Sequence, residues 1–288
     1  MVTGDLDGND QEEIIFDFDS GGLSIWMNNT SWVPLHSLTA DSLVVGDIDA
    51  NGQDEIIIDF GDAHGLWVWL NNTNWLPLHS LSAKSLTTGD LDGNGQDDVI
   101  IDFGDTVGLW VWLNNGDWVK LHSLSAASIV TGDLDGNAQD DVIVDFAGIG
   151  IYVWLNNAEW IKLHNLSAES MVTGDLDGNR HDELIIDFGQ PYGLYIWKNN
   201  SEWMALHSFS ADSITTGDLD SNGLEEVIVD FGETYGIYAW MNDNHWRIIL
   251  PFTAQQMTTG NIDGLFFPAA AAAALAESFG ESSVLPEA

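Results

Sequence analysis

A six-residue motif recurs along this chain at an almost constant interval, and it constrains the fold more than any other feature. The motif Gly-Asp-Leu-Asp-Gly-Asn begins at Gly4 and recurs in recognisable form at Gly46, Gly89, Gly132, Gly174 and Gly217. A degenerate copy, Gly-Asn-Ile-Asp, begins at Gly260. Successive copies are 42 or 43 residues apart, a period typical of stacked supersecondary units. The chain therefore contains six full repeats and the start of a seventh.

Each repeat contains four short segments with the patterns of β-strands. In the third repeat, residues 85–92 form an extended run, 99–103 are strongly apolar, and 109–113 alternate tryptophan with aliphatic residues. The sequence Asn114-Asn115-Gly116 predicts a tight turn, because asparagine and glycine tolerate positive φ, and 118–121 supplies a fourth strand. Four antiparallel strands in about 42 residues are typical of one β-propeller blade.

The predicted fold class is all-β, a β-propeller of six four-stranded blades, with an incomplete seventh blade as an open alternative. The propeller is predicted to span residues 1–263, and residues 264–288 are predicted to form a short Ala-rich helix and a disordered tail. Ring closure stays open, because the extended segment 257–263 repeats the first strand of a blade. One six-bladed ring is favoured; the alternatives are an incomplete seventh blade or one completed by a partner.

An acidic loop lies between the first and second strands of every repeat. When its first aspartate is position one, positions one and three are Asp, position five is Asn and position nine is a carboxylate in all six full repeats. Oxygen groups at alternating positions suit calcium, which takes six to eight oxygen ligands, whereas softer metals prefer histidine or cysteine. Position seven varies freely, which fits a ligand supplied by the backbone carbonyl. The predicted calcium ligands, loop by loop, are Asp5, Asp7, Asn9, Gln11 and Glu13; Asp47, Asp49, Asn51, Gln53 and Glu55; Asp90, Asp92, Asn94, Gln96 and Asp98; Asp133, Asp135, Asn137, Gln139 and Asp141; Asp175, Asp177, Asn179, His181 and Glu183; and Asp218, Asp220, Asn222, Leu224 and Glu226.

Up to six calcium ions are expected, with weaker binding in repeats one, four and five. Position six favours glycine for a sharp bend, and those repeats carry Asp10, Ala138 and Arg180 there. An EF-hand is excluded because position twelve is apolar, as at Ile101, where an EF-hand requires glutamate. The alternative is a solvated turn without metal, which clustered carboxylates disfavour through mutual repulsion. The seventh copy is predicted to bind nothing.

The pattern Asp-x-Asp-x-Asn-Gly-x-x-Asp, followed by an apolar strand and Asp-Phe-Gly, resembles the FG-GAP or VCBS-type repeats of integrin-α-like β-propellers. The resemblance covers residues 1–263. It implies that the six acidic loops hold calcium at the blade rim, and it does not define a ligand. The chain departs from that family in its short blades and in having six full repeats where seven are common.

Two further residue types recur at fixed places. An aspartate recurs in the second strand of every full repeat, and a histidine follows the fourth strand of the first five. We predict that they form a structural clamp between these strands, because buried polar groups require hydrogen bonds; the alternative is a ring of Asp/His functional sites. The residues are Asp17, Asp59, Asp102, Asp145, Asp187 and Asp230, with His36, His79, His122, His164 and His207.

Composition excludes several classes of protein. The 46 acidic and 6 basic side chains give a net charge of -40, so the chain would repel nucleic acid and anionic membranes. The absence of cysteine excludes disulfides and cysteine-bound metals. The longest apolar run, 268–276, is far shorter than the ~20 residues of a membrane span. No signal peptide is visible, but the cysteine-free composition favours an extracellular, cell-surface or periplasmic protein.

The predicted function is a calcium-stabilised, non-enzymatic binding or adhesion module for a glycan or a protein. Near-identical repeats supply the same groups six times, whereas catalysis needs different groups at one point. The alternatives are a structural or assembly subunit that uses the C-terminal tail and, less favoured, an enzyme such as a polysaccharide lyase. The candidate sugar-stacking residues begin the fourth strand of each repeat: Trp32, Trp75, Trp118, Trp160, Trp203 and Trp246.

Overall fold

A computed structural model describes residues 1–261 and confirms the predicted fold class. The described chain is all-β: six four-stranded antiparallel sheets, each with its strands in chain order, form the blades of a six-bladed β-propeller. The one short helical element is a 3₁₀ turn at Asp19–Gly21. The chain divides into two compact units, which are described separately.

The first unit comprises Met1–Thr131, Gln139–Leu163 and the segment from Gly260. It carries blades one to three and nearly all strand residues of blade four. The strands are β1 (Val2–Gly4), β2 (Glu13–Asp17), β3 (Leu23–Met27) and β4 (Ser31–His36) in blade one; β5 (Ser42–Gly46), β6 (Glu55–Asp59), β7 (Leu66–Leu70) and β8 (Asn74–His79) in blade two; β9 (Ser85–Gly89), β10 (Asp98–Asp102), β11 (Leu109–Leu113) and β12 (Asp117–His122) in blade three; and β13 (Ser128–Gly132), β14 (Asp141–Phe146), β15 (Gly150–Leu155) and β16 (Glu159–His164) in blade four.

The second unit comprises, within the described chain, Gly132–Ala138 and His164–Thr259. It carries the acidic loop of blade four and all of blades five and six. The strands are β17 (Ser170–Gly174), β18 (Glu183–Asp187), β19 (Leu194–Lys198) and β20 (Glu202–His207) in blade five, and β21 (Ser213–Gly217), β22 (Glu226–Asp230), β23 (Ile237–Met241) and β24 (His245–Leu250) in blade six.

The middle residues of the second strand are apolar on both faces, and in β6 both faces pack against neighbouring blades. In β6, Ile56 and Ile58 join Ile15 of blade one in one core cluster. Ile57, on the opposite face, joins Val99 of blade three in another. Side chains alternate between the faces of a strand, so burial on both sides produces an unbroken hydrophobic run.

Blade one exposes aromatic residues that the other blades bury. Phe18 is 50% exposed, whereas its counterpart Phe60 is 8% exposed. In blades two to six this phenylalanine packs against the histidine that ends the preceding fourth strand, and the ring centroids of His36 and Phe60 lie 4.7 Å apart. Phe18 instead packs against Trp32, which is itself 50% exposed.

The predicted clamp is confirmed for the aspartates but has a different partner. Asp59 Oδ2 accepts hydrogen bonds from the Ser82 hydroxyl and the Ala83 N–H, both at 2.7 Å, and so ties β6 to the segment after β8. His79 does not pair with it: His79 Nδ1 accepts from the Leu81 N–H at 3.1 Å. Burial lowers the pKa of His79, which favours the neutral ring that this acceptor role requires.

The predicted strand at 257–263 is wrong for its described part, because residues 257–261 have no regular strand. Individual bonds still follow the repeat. In the second unit the Thr259 hydroxyl donates to the Thr216 carbonyl at 2.5 Å, and in the first unit the Glu12 N–H donates to the Asn261 carbonyl at 2.8 Å. The predicted helix and tail, 264–288, lie outside the described residues. Within residues 1–261, no helix is long and apolar enough to cross a membrane.

Candidate metal loops and aromatic pockets

The acidic loop of each blade is closed by its own side chains. In blade two, Asp47 Oδ1 accepts from the Asn51 N–H at 3.0 Å, and Asp47 Oδ2 accepts from the Gly52 N–H at 2.8 Å. Asn51 Oδ1 accepts from the Gln53 N–H at 2.8 Å. The first and fifth positions therefore curl the backbone so that the remaining carboxylates face a common centre.

The structure brings positions one, three and nine together in four of the loops. Each residue of such a triad offers a carboxylate oxygen, and these oxygens lie within 4.8 Å of one another. All four loops have glutamate at position nine, whereas Asp98 and Asp141 in loops three and four are one methylene shorter. The triads are Asp5, Asp7 and Glu13; Asp47, Asp49 and Glu55; Asp175, Asp177 and Glu183; and Asp218, Asp220 and Glu226. Loop four is divided between the two units and is not described as one site.

The aspartate at position three has a buried carboxylate oxygen without a hydrogen-bond partner in several loops. Asp49 Oδ2 accepts from Asn71 Nδ2 at 2.8 Å, but its buried Oδ1 has no hydrogen-bond partner. The same holds for Oδ1 of Asp7, Asp92 and Asp220. A buried carboxylate oxygen without a donor is costly, and the cost is offset when a hard cation binds it. The donor set therefore fits calcium.

The carboxylate at position nine is buried in all six full blades. Glu55 Oε1 accepts from the Asn71 N–H at 3.1 Å and Oε2 from the Ile48 N–H at 3.2 Å. Burial raises the pKa of Glu55 to about 7, and the charges of Asp49 and Asp47 act in the same direction. Burial likewise raises the pKa of Glu183 to about 7 and that of Asp98 to about 6. A bound cation would favour their charged forms.

The φ angles at position six do not separate the loops. Asp10, Ala138 and Arg180 adopt φ of 65°, 63° and 68°, in the same region as Gly52 and Gly95 at 81° and 80°. A non-glycine residue in this region costs about 1–2 kcal/mol. The weaker calcium binding predicted for repeats one, four and five therefore stays a prediction.

The prediction of calcium ligands missed the asparagine that follows the third strand of each blade. Asn71 donates its amide to Asp49 and accepts a hydrogen bond from the Asn51 amide, so it orients positions three and five together. The sequence carried a signal, since an Asn pair or Asn-Asp pair ends this strand in every full repeat. It was interpreted only as a turn, which is also correct: Asn71 and Asn72 have φ of 49° and 53°. The equivalents of Asn71 that make this pair of contacts are Asn28, Asn114, Asn199 and Asn242.

Position eight was also missed, although it is acidic in every full repeat. Asp97 Oδ2 accepts from the Asp47 N–H at 3.1 Å, and the Asp97 N–H donates to the Asp47 carbonyl at 2.9 Å. This carboxylate therefore fastens the loop of its own blade to position one of the preceding loop. A glutamine at position seven can also contact the preceding loop: the Gln139 amide donates to the Asp92 carbonyl at 3.3 Å.

Aromatic pockets lie between consecutive blades, away from the acidic loops. One, in the second unit, has a volume of about 280 Å³ and is lined by His164, Leu166, Phe188, Tyr192, Tyr195 and Trp203. Another, in the first unit, has a volume of about 130 Å³ and is lined by His36, Leu38, Phe60, His64, Trp67 and Trp75. Each lining residue of the first pocket lies three repeats after its counterpart in the second, so the pocket is a repeated element.

The residue at one position in the fourth strand lies across the sheet from an aromatic ring of each pocket. Tyr195 pairs across the sheet with Ala205, and Trp67 pairs with Pro77. In blade three the equivalent residue is a lysine, and the Lys120 ammonium lies 5.5 Å from the centroid of the Trp110 ring. In blade four the Lys162 ammonium lies 5.2 Å from the centroid of the Tyr152 ring. A small side chain therefore lies across the sheet from the ring in the two pockets, whereas an ammonium lies over the ring in blades three and four.

The six tryptophans predicted to stack on sugars differ in their surroundings. Trp75 and Trp203 line the two pockets. Trp118, Trp160 and Trp246 are half-buried against the phenylalanines of their own blades. Trp32 is half exposed on blade one. Nothing in the geometry tests sugar contact, so the assignment stays a prediction.

No protein-family model matches the chain, and no curated protein matches it. The structure is similar to an Agrocybe aegerita lectin described for specific recognition of non-reducing terminal N-acetylglucosamine, with a TM-score of 0.63, 18% identity and coverage of 85% of this chain and 78% of the lectin. It is similar to a chain in the crystal structure of BBS1N in complex with ARL6DN, with a TM-score of 0.58, 12% identity and coverage of 85% and 77%. It is also similar to the exotype rhamnogalacturonan lyase YesX, with a TM-score of 0.51, 14% identity and coverage of 85% and 56%. At these identities the likeness concerns the fold alone.

Proposed function

We propose that this protein is a calcium-stabilised, non-enzymatic carbohydrate-binding module of the extracellular space or cell surface. The observation that carries the proposal is the repeated aromatic pocket, open at Tyr195 and at Trp67. Binding sites are typically concave and largely apolar, with a few polar groups that fix orientation. Tyrosine and histidine provide those groups around the phenylalanine and tryptophan rings.

The ligand class that fits such a pocket is a terminal sugar residue. One face of a pyranose is apolar and stacks on an aromatic ring, and its hydroxyl or acetamido groups reach the polar edges of tyrosine or histidine. The similar Agrocybe aegerita lectin, which recognises terminal N-acetylglucosamine, supports an N-acetylhexosamine as the first ligand to test. Several pockets in one chain would bind a multivalent glycan with increased avidity.

A matched pair of variants tests the pocket. Tyr192 is 49% exposed in the turn between β18 and β19, so Tyr192→Ala removes a pocket wall with little loss of core. Ile149 occupies the same turn of blade four and is 43% exposed, which makes Ile149→Ala the control. In titrations with N-acetylglucosamine by calorimetry, Tyr192→Ala should lose one binding site and Ile149→Ala should retain all. If neither the wild type nor the control binds this sugar or any glycan on an array, the proposal is wrong.

Calcium has a structural role in this proposal. The unpartnered Oδ1 atoms of position three and the buried glutamates of position nine support cation binding in the loops. Extracellular calcium sites bind at about 0.1–1 mM, which agrees with the proposed location. Membership of the FG-GAP or VCBS-type propellers is part of the same proposal.

The exposed aromatic face of blade one favours a second candidate, a structural or assembly subunit. Phe18 and Trp32 are each 50% exposed, and adjacent exposed aromatics often mark protein contacts. Light scattering after size exclusion, on the wild type and on Phe18→Ser with Trp32→Ser, distinguishes the two functions. A self-associated wild type that becomes monomeric in the double variant would support assembly; monomers in both would count against self-assembly.

A further inference from the structure

Blade five carries a lysine where every other full blade has an apolar residue. Its third strand, β19, ends at Lys198, one of only 6 basic residues in the chain. The residues at the equivalent position in the other blades are Met27, Leu70, Leu113, Leu155 and Met241. A charged side chain at this place is therefore a specific departure from the repeat.

The Lys198 ammonium lies at the acidic loop of its own blade. Lys198 Nζ is 3.4 Å from Oδ2 of Asp177, which is position three of loop five. The same ammonium donates a hydrogen bond to Oδ2 of Asp243 in the turn between β23 and β24. The side chains of Lys198 and Asp243 are only 18% and 20% exposed. Lys198 is thus a largely buried cation held between two carboxylates.

The partner Asp243 is itself a departure from the repeat. The other five full blades have asparagine at this place, and Asp243 keeps the local role of that residue by accepting from the Trp240 ring N–H at 3.3 Å. Its second oxygen is the one that binds Lys198. Two complementary substitutions in neighbouring blades, Leu or Met to Lys and Asn to Asp, form one ion pair. The five asparagines are Asn29, Asn72, Asn115, Asn157 and Asn200.

Loop five also has a different arrangement at position three. Asn71 Nδ2 donates to Asp49 at 2.8 Å in loop two, whereas the equivalent distance from Asn199 to Asp177 is 3.4 Å. In loop two Asp49 Oδ1 is buried and has no hydrogen-bond partner, whereas in loop five the Asp177 side chain is 26% exposed. In loop five the Lys198 ammonium contacts Oδ2 of position three, the oxygen that also accepts from the Asn199 amide.

We infer that the Lys198 ammonium serves loop five as a built-in cation, so that this loop keeps its structure without calcium and binds calcium more weakly than loops one, two and six. The inference rests on the proposed calcium function and adds a difference in calcium affinity among the loops. A positive charge beside a ligand oxygen opposes the entry of a divalent ion by direct repulsion. It also neutralises part of the carboxylate cluster that would otherwise need metal.

The test is a calcium titration of the full chain and its lysine variants by calorimetry, with calcium chloride as the probe. Lys198→Met installs the residue that blades one and six carry, and it should add one site or tighten one site at least tenfold. Lys198→Arg keeps the charge and should titrate like the wild type. Lys84→Met removes an equal charge from a lysine whose ammonium donates to the Ser125 hydroxyl and the Ala126 carbonyl, and it is the matched control, expected to show no change.

Thermal melting with a chelator gives a second readout that does not depend on counting sites. In chelator, Lys198→Met should melt at a lower temperature than Lys84→Met, since loop five has lost its internal cation, and excess calcium should remove this difference. If the wild type binds calcium and Lys198→Met neither changes the titration nor lowers the melt in chelator, this inference is overturned and the proposed function stands. If no variant binds calcium, the proposed calcium function fails, and the inference fails with it.

Discussion

Asp5 and Asp54 exchange two hydrogen bonds although they are 49 residues apart in the sequence. The Asp5 N–H donates to Oδ2 of Asp54 at 2.9 Å, and the Asp54 N–H donates to the Asp5 carbonyl at 2.8 Å. Asp5 is position one of the first acidic loop, and Asp54 is position eight of the second. Position eight of the second loop is therefore joined to position one of the first loop.

The first prediction concerns this link. Asp54→Ala leaves the Asp5 N–H without an acceptor and should lower the free energy of unfolding by about 1–3 kcal/mol. Asp54→Asn retains an acceptor oxygen and should cost less. Urea denaturation at one fixed calcium concentration measures both, with Asp62→Ala at an exposed turn of the same blade as the control. An equal free energy of unfolding for Asp54→Ala and Asp62→Ala would show that the link does not stabilise the fold.

The second prediction is a pH dependence of the calcium-free protein. Burial raises the pKa of Asp54, Asp97 and Asp182 to about 6 and that of Glu225 to about 7. In the unfolded chain these carboxyls titrate near 4. Between pH 4 and pH 6–7 the folded state holds protons that the unfolded chain has released. The contribution of these carboxyls to the free energy of unfolding is therefore fully present below about pH 4 and is lost as the pH rises through 6–7.

In chelator, the melting temperature should therefore fall between pH 5 and pH 8. Calcium should flatten the profile, because it replaces protons as the counter-ion of the loops. Melting followed by circular dichroism at several pH values, with and without calcium, measures this dependence. A calcium-free protein that becomes more stable over the same interval would contradict the assigned direction of the pKa shifts.

The third prediction is a gain of function at a covered pocket. Lys162→Ala reproduces in blade four the combination of Tyr195 and Ala205 found in blade five, and it uncovers the ring of Tyr152. The variant should bind one more N-acetylglucosamine per chain than the wild type in a calorimetric titration. Lys84→Ala, whose ammonium donates to the Ala126 carbonyl and not over an aromatic ring, is the control. An unchanged stoichiometry in Lys162→Ala would mean that the lysine does not limit access.

The repeat predicted much of the fold, because its period and its strand patterns are local signals. The bounds expected for the third blade agree with β10, β11 and β12 to within one or two residues. The acidic positions were recognisable because every loop repeats them. The position-eight link could not be predicted from sequence, since it joins consecutive loops that only folding brings together.

The role of Lys198 was hidden for the same reason. Its two carboxylate partners, Asp177 and Asp243, lie 21 and 45 residues away, and one of them belongs to another blade. The open pockets were also out of reach, because they depend on which residue lies across the sheet from Tyr195 or Trp67. The segment 257–261 was interpreted as a strand because it repeats the first strand of a blade, but this likeness alone does not supply a strand to pair with.

If the acidic loops are calcium sites, calcium should raise the melting temperature of the protein. One site at about 100-fold excess of calcium over its dissociation constant adds about 2.7 kcal/mol to the free energy of unfolding, which corresponds to roughly 5 °C or more for a chain of this size. We expect the melting temperature in about 10 mM calcium to exceed the melting temperature in chelator by at least this amount. An equal concentration of magnesium should produce a smaller shift, since magnesium requires a stricter octahedral geometry. The same melting temperature in calcium and in chelator would show that the acidic loops do not bind calcium.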